Sequence, residues 1–406
     1  MKHSLLASIV FLSFTHITTA HARDAAFGST AEYLVVDLGA LGTGETYPEA
    51  INNLGQVVGR SYTGEFSPTW NYVSRAFLWL PAPAYGLPAG LNDLGSLRSD
   101  PLGSSQAFDL TDDGRVVGSS ETDEPIFPDY PEPAWHGFVW QDGLMSALPT
   151  PSDNPIYDTA HAVNRFGEIA YAEGTGFGCT PYLWLPRDQY GLEAGFHRLA
   201  SIGGLSEGLG HDINDQGQIV GKRLSACDVV GDANLAYLWL PKPAFGLAAG
   251  GHDVTPPGLP NTASVSAVAL NESGQVVGSI SDFSEPPAGF LWDQGTFTSL
   301  SFRPSAINEA AWIVGSNDTG AVLWRDGQLE LLSDLVVPGS GWSLSRAVGI
   351  NDRGQIIVRG RKNGRIAALL LDTTWVFGDD FESGDLGAWS GGNSSPTLES
   401  VDRWGN

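Results

Sequence analysis

The sequence predicts an all-β fold, a seven-bladed β-propeller of four-stranded repeats, and three observations carry that prediction. A phrase made of a small or apolar pair, usually Asn, two turn residues, Gly, a polar residue and two β-branched residues recurs seven times. It stands first at Ala50–Gly59, then around Gly114, Gly167, Gly217, Gly274, Ala311-Trp312 and Gly354. Each of the first six copies is followed by an apolar run ending in Trp79, Trp140, Trp184, Trp239, Trp292 or Trp324, while the seventh run, Ala367–Leu371, lacks the Trp. A unit repeated about every 50 residues signals a propeller or a solenoid, and four short strands per unit favour the propeller. Finally, an orphan strand at Tyr33–Gly39 precedes the first copy, and the seventh unit stops after its third strand. Docking one onto the other closes the ring and hides two sheet edges.

Taken in chain order, residues 1–22 read as a secretory signal. Lys2 and His3 form the charged end, Leu5–Phe14 the apolar run and Ala20-His21-Ala22 the cleavage site. This implies a secreted, periplasmic or cell-surface protein. The apolar run falls short of the ~20 residues a membrane span needs, and no later segment comes closer.

Residues 23–376 form the propeller. In each unit the Asn-x-x-Gly segment supplies turn chemistry and a positive φ. Pairs such as Val57-Val58 and Ile356-Ile357 then start the second strand. A variable stretch read as a loop leads to the aromatic strand, for example Ala76–Trp79, and a Leu-containing fourth strand follows. Units one, three and four insert a Leu-Pro-x-x-x-aromatic-Gly-Leu excursion after the Trp, at Leu80–Leu87, Leu185–Leu192 and Leu240–Leu247. The aromatic there is read as packing back onto its own blade. Residues 377–406 are an acidic, Gly/Ser-rich tail too short for a module.

The Asn-x-x-Gly-Gln-Val-Val-Gly phrase followed by Ala-Phe-Leu-Trp resembles the bacterial HAF family of extracellular repeat proteins, over roughly residues 32–371. The family's His-Ala-Phe is varied here to Arg75-Ala76-Phe77, His136-Gly137-Phe138, Leu235-Ala236-Tyr237 and Ala288-Gly289-Phe290. The resemblance implies export and β-repeat structure. It brings no catalytic residues to carry over.

The chain has 46 acidic against 21 Lys and Arg residues and a net charge of −25. Such a surface argues against nucleic-acid and membrane partners. Two cysteines, Cys179 and Cys227, fall in the same loop type of consecutive units and are a disulfide candidate.

Few residues suggest catalysis. Gly204–Gly208 matches G-x-S-x-G but lacks the strand-to-helix context. His211-Asp212 and His252-Asp253 read as surface turns. No cofactor is implied apart from a weak calcium candidate in the tail, Asp379, Asp380, Glu382 and Asp385.

The better candidates lie in the variable loops of units one and two, where Tyr62, Trp70, Tyr72, Phe127, Tyr130 and Trp135 stand among acidic residues. Aromatics beside acceptor groups suit stacking on sugar rings or a protein hot spot. The sequence therefore points to a non-enzymatic recognition module for a glycan or a protein. A polysaccharide hydrolase or lyase with carboxylates in the central channel, and a purely structural envelope component, are the alternatives.

Overall fold

The computed structural model describes residues 32–373 apart from 68–70, 128–129, 153–155, 176–177, 200–207, 224–234, 261–262, 282–285 and 287. Almost all the regular structure is antiparallel sheet. One four-stranded sheet contains β2 (Thr46–Ile51), β3 (Val57–Phe66), β4 (Tyr72–Leu80) and β5 (Gly90–Asp93). The second unit supplies β6 (Ser105–Leu110), β7 (Val116–Phe127), β8 (Tyr130–Gln141) and β9 (Leu144–Ala147). The third supplies β10 (Tyr157–Val163), β11 (Ile169–Thr175), β12 (Gly178–Leu185) and β13 (Gly195–Arg198). Units four and five give β14 (Gly208–Ile213), β15 (Ile219–Arg223), β16 (Leu235–Leu240), β17 (Gly250–Asp253), then β18 (Ser264–Leu270), β19 (Val276–Ser281), β20 (Ala288–Asp293) and β21 (Thr296–Leu300). Unit six holds β22 (Arg303–Ile307), β23 (Ile313–Asn317), β24 (Gly320–Arg325) and β25 (Gln328–Leu331), followed by one helical turn, α1 (Leu332–Leu335). The last unit has β26 (Ser343–Ile350), β27 (Ile356–Lys362) and β28 (Arg365–Asp372), and its fourth strand is β1 (Leu34–Asp37).

The fold is an all-β propeller arrangement, but the expected seven separate blades do not form. Five four-stranded sheets stand alone, and units two and three run together as one eight-stranded sheet. The cause is local. Tyr157 of β10 pairs in parallel with Trp135 of β8, and the Trp135 N–H donates to the Ile156 carbonyl at 3.2 Å.

Strand β1 lies antiparallel to β28 with Leu34 opposite Asp372 and Asp37 opposite Leu369, as the orphan strand requires. Tyr33, 1% exposed, sits in the core between units six and seven, and Glu32 receives the Arg325 guanidinium through bonds of 2.8 and 2.9 Å. Core clusters form where one unit faces the next. Leu78 and Leu80 meet Val116, Phe138 and Trp140 of the following unit, so the repeated Trp is an inter-unit packing residue.

The innermost strands share a further device. At equivalent positions each carries a register shift whose extra residue is Glu49, Phe108, His161, His211, Val268, Ser305 or Val348. A bulge leaves its extra residue out of the ladder and re-aims its side chain. The Gly that ends the phrase allows the close approach: a Cβ on Gly118 would run into the Gln106 carbonyl and the Phe138 ring.

Candidate functional site

All seven bulge residues line a cavity of about 220 Å³ at the meeting point of the inner strands. Alongside the bulges stand Asp109 and Asp212, two residues before Thr111 and Asn214. Each carboxylate stitches its strand to the next unit. Asp109 accepts the N–H of Leu110 and of Val163, both at 2.8 Å, and Asp212 accepts those of Ile213 and Leu270, both at 2.9 Å.

Burial pushes Asp109 up to about 7, and the Asp212 charge adds to it, against the two N–H bonds. Burial likewise raises Asp212 to about 6. The imidazoles move the other way: burial, His211 and Lys222 bring His161 down to about 3, and burial brings His211 to about 4 although its Nδ1–H donates to the Ala267 carbonyl at 2.8 Å. The cavity thus holds neutral imidazoles beside weakly acidic carboxyls at neutral pH. Ala, Val and Ile side chains complete its wall.

His211-Asp212 is therefore no surface turn, contrary to the sequence reading. The two residues straddle the bulge of β14, and a bulge cannot be seen in a single copy of the motif. Comparing the residue three before the Asn in every unit was the available signal. His252 stays at the surface, bonded to the Ala248 carbonyl at 2.7 Å.

One end of the cavity is ringed by the Asn turns. The Asn52 Oδ1 accepts the N–H of Leu54 and of Gln56, and its amide donates to Gln56 Oε1 at 2.8 Å and across to the Thr111 carbonyl at 3.0 Å. The same crossing bond runs from Asn164 to Asn214, Asn214 to Asn271, Asn271 to Asn308, Asn308 to Asn351, and Asn351 back to Asn52 at 2.9 Å. A second circle uses the next residue: backbone N–H groups of Asn53, Arg165, Asp215, Glu272, Glu309 and Asp352 donate to the side chains of Asp112, Asp215, Glu272, Glu309, Asp352 and Asn53. The side-chain crossing of the first circle is missing at the junction of units two and three, where Thr111 has no amide. There Asp109 and the Trp135–Tyr157 pairing join the units instead.

At the other end project the segments expected to be loops. In units one and two these are strands: β3 and β4 extend as a hairpin to Phe66 opposite Tyr72, and β7 and β8 to Phe127 opposite Tyr130. Tyr47 of β2 and Tyr62, Tyr72 and Phe66 of the first hairpin form a continuous aromatic stack of edge-on and tilted rings, with successive centroids 6.0, 5.8 and 4.6 Å apart and interplanar angles of 89°, 57° and 38°. Tyr72 is 62% and Phe66 47% exposed. The inner end of the stack carries two cations, Arg60 and Arg359, 5.2 and 5.3 Å from the Tyr47 ring centroid. Phe66 belongs to the same variable segment of unit one as Tyr62 and Tyr72.

Tyr62 and Tyr72 are thus brought together. Trp135 lies apart, half-buried at the join of units two and three. Trp70 falls outside the described residues, as do the 1–22 signal, Gly204–Glu207 and the tail with Asp379, Asp380, Glu382 and Asp385. Cys179 is disulfide-bonded, and Cys227 lies outside the described residues.

The excursions differ from expectation in one respect. Tyr85 hydrogen-bonds Gln56 of its own unit but lies over Gly114 of the next, and Tyr190 and Phe245 lie over Gly217 and Gly274 in the same way. They are latches between units.

A family model described as a protein of unknown function (DUF3466) matches residues 200–367. No curated protein matches the chain. Among solved structures it is similar to the β-propeller domain of the Trilobed protease from Pyrococcus furiosus, with 10% identity and a TM-score of 0.44 over 81% of this chain and 96% of that one. It is similar also to a gluconolactonase from Xanthomonas campestris, with 13% identity and a TM-score of 0.35 over 84% and 90%. A sialidase from Trypanosoma rangeli shows 11% identity and a TM-score of 0.39 over 81% and 55%. None of these likenesses transfers an activity.

Proposed function

We propose that the chain is an exported recognition module, of the HAF-repeat kind, that binds a glycan on its hairpin face. Reading the eight-stranded sheet as two joined blades makes the scaffold a sevenfold ring, and the 1–22 segment supplies export. The observation that carries the reading is the aromatic stack. Its outer pair, Tyr72 and Phe66, is exposed on a hairpin whose base is fixed by buried residues such as Val73, Ala76 and Phe77. Exposed rings on a fixed scaffold are suited to stack on sugar faces at small conformational cost.

The test is a glycan array with the mature chain and a Phe66→Ala/Tyr72→Ala variant. Glycans bound by the parent and lost by the variant support the reading. Ligands indifferent to both changes contradict it.

A second reading has one specific support. Asp109 and Asp212 sit in the axial cavity with pKa values near neutrality, as a general acid or base requires. Against it, both carboxylates are already engaged by backbone N–H groups. Polysaccharide cleavage abolished by Asp109→Asn or Asp212→Asn would favour this reading over binding alone.

A further inference from the structure

Both ends of the axis carry carboxylates, and the hairpin mouth also gathers a belt of cations. Around the turn end stand the carboxylates of Asp112, Asp215, Glu272, Glu309 and Asp352. At the hairpin end, the position five residues before each repeat's Asn or Thr pairs across to the second strand. There Tyr47 faces Arg60, Leu209 faces Lys222 and Arg346 faces Arg359, and Arg303 occupies the same position in unit six. Across the seven such pairs stand five basic residues and no acid, with Glu45, Glu49, Asp158 and Glu173 at neighbouring positions.

The belt adjoins the cavity. Arg359 binds Glu49 at 3.0 Å and Arg346 Nε donates to Ser305 Oγ at 3.3 Å, and both partners line it. Arg303 and Arg346 are exposed, and neither forms an ion pair among the described residues. Like charges directly opposite each other, as in Arg346 and Arg359, destabilise a sheet. An anion seated among these groups reverses that penalty and gains bidentate, charge-assisted hydrogen bonds.

We propose that this mouth binds a carboxylate-bearing sugar residue carried on an otherwise neutral glycan. Arg303 and Arg346 take the carboxylate, and the exposed rings of Tyr72 and Phe66 take adjoining sugar faces. The inference rests on the glycan reading above. A net charge of −25 repels a long polyanion, so an isolated acid group on a neutral chain is the form that fits.

The test is calorimetric titration of the full mature chain with glucuronoxylan oligosaccharides and neutral xylo-oligosaccharides of equal length. The parent is compared with an Arg303→Gln/Arg346→Gln variant and a Phe66→Ala/Tyr72→Ala variant, with equal melting temperatures as the folding control. The parent should prefer the acidic ligand by about tenfold or more, the scale of one lost charged hydrogen bond. The arginine variant should lose that preference and keep the neutral affinity, and the aromatic variant should lose both.

Equal binding of both ligands by the parent, or an unchanged preference in the arginine variant, overturns the charge assignment while leaving glycan recognition standing. Arginine-dependent binding of oligo-glutamate at equal affinity overturns the sugar assignment. Binding of neither oligosaccharide overturns both readings.

Discussion

Asn351 uses both ends of its amide. Its Oδ1 accepts the N–H of Arg353 and Gln355, and its Nδ2 donates to Gln355 Oε1 and across the ring to the Asn52 carbonyl. Only a side chain with donor and acceptor at that reach does this, so Asp and Ser do not substitute. Asn351→Ala leaves buried partners unsatisfied and should cost about 1–3 kcal/mol in urea denaturation, with Asn308→Ala similar. Asp158 presents the opposite case. It is fully buried, faces Glu173 across the strand pair, and has the Tyr171 hydroxyl and, at 4.0 Å, the His136 Nδ1 beside its carboxylate. Burial raises it to about 7, the Tyr171 hydroxyl opposes the rise and Glu173 adds to it. A raised acid binds its proton more tightly in the fold, so its contribution is complete below about pH 4 and is lost as pH rises towards and through 7. Asp158→Asn should therefore gain stability relative to the parent between pH 5 and pH 8, by about 1–3 kcal/mol at the upper end. Thermal melts across that range check it, and an equal offset at both pH values contradicts the titration argument.

The elements were legible where repetition spoke. The Asn turns, the β-branched second strands and the orphan strand all lie where seven aligned copies place them, because each depends on local chemistry written the same way every time. What depends on a residue outside the repeat was not legible. The fusion of units two and three arises from one pairing at Trp135 and Tyr157, and the long hairpins came from stretches with no common pattern. The excursion shows the boundary well. Its Pro and Gly made it rigid in the sequence, yet Tyr85 lands on the following unit because Gly114, at φ +82°, has no Cβ to keep it away. Gly114→Ala places a methyl inside that ring as well as in a strained backbone region, and should cost about 2 kcal/mol or more. In a Tyr85→Ala background the steric part disappears and only the backbone part, about 1 kcal/mol, should remain. Equal costs in both backgrounds would refute the latch.

At the scale of the whole molecule, the repeat builds a ring whose two ends differ. The turn end is self-satisfied: its carboxylates already hold backbone N–H groups, and little is left to bind. The hairpin end is not, since Arg303 and Arg346 stand exposed and the aromatic stack of unit one ends in solvent. The asymmetry was hidden in the sequence because net charge averages over it and because Tyr47, Arg303 and Arg346 share a position only once the Asn turns are aligned. That ligand recognition occurs at the hairpin end is the central claim, and hydrogen–deuterium exchange of the protein with and without glucuronoxylan oligosaccharides tests it most directly. Protection confined to β3, β4, β26 and the strands flanking Arg303, with the Asn turns unchanged, is the predicted result. Protection centred on the Asn turns, or none at saturating oligosaccharide, would contradict it.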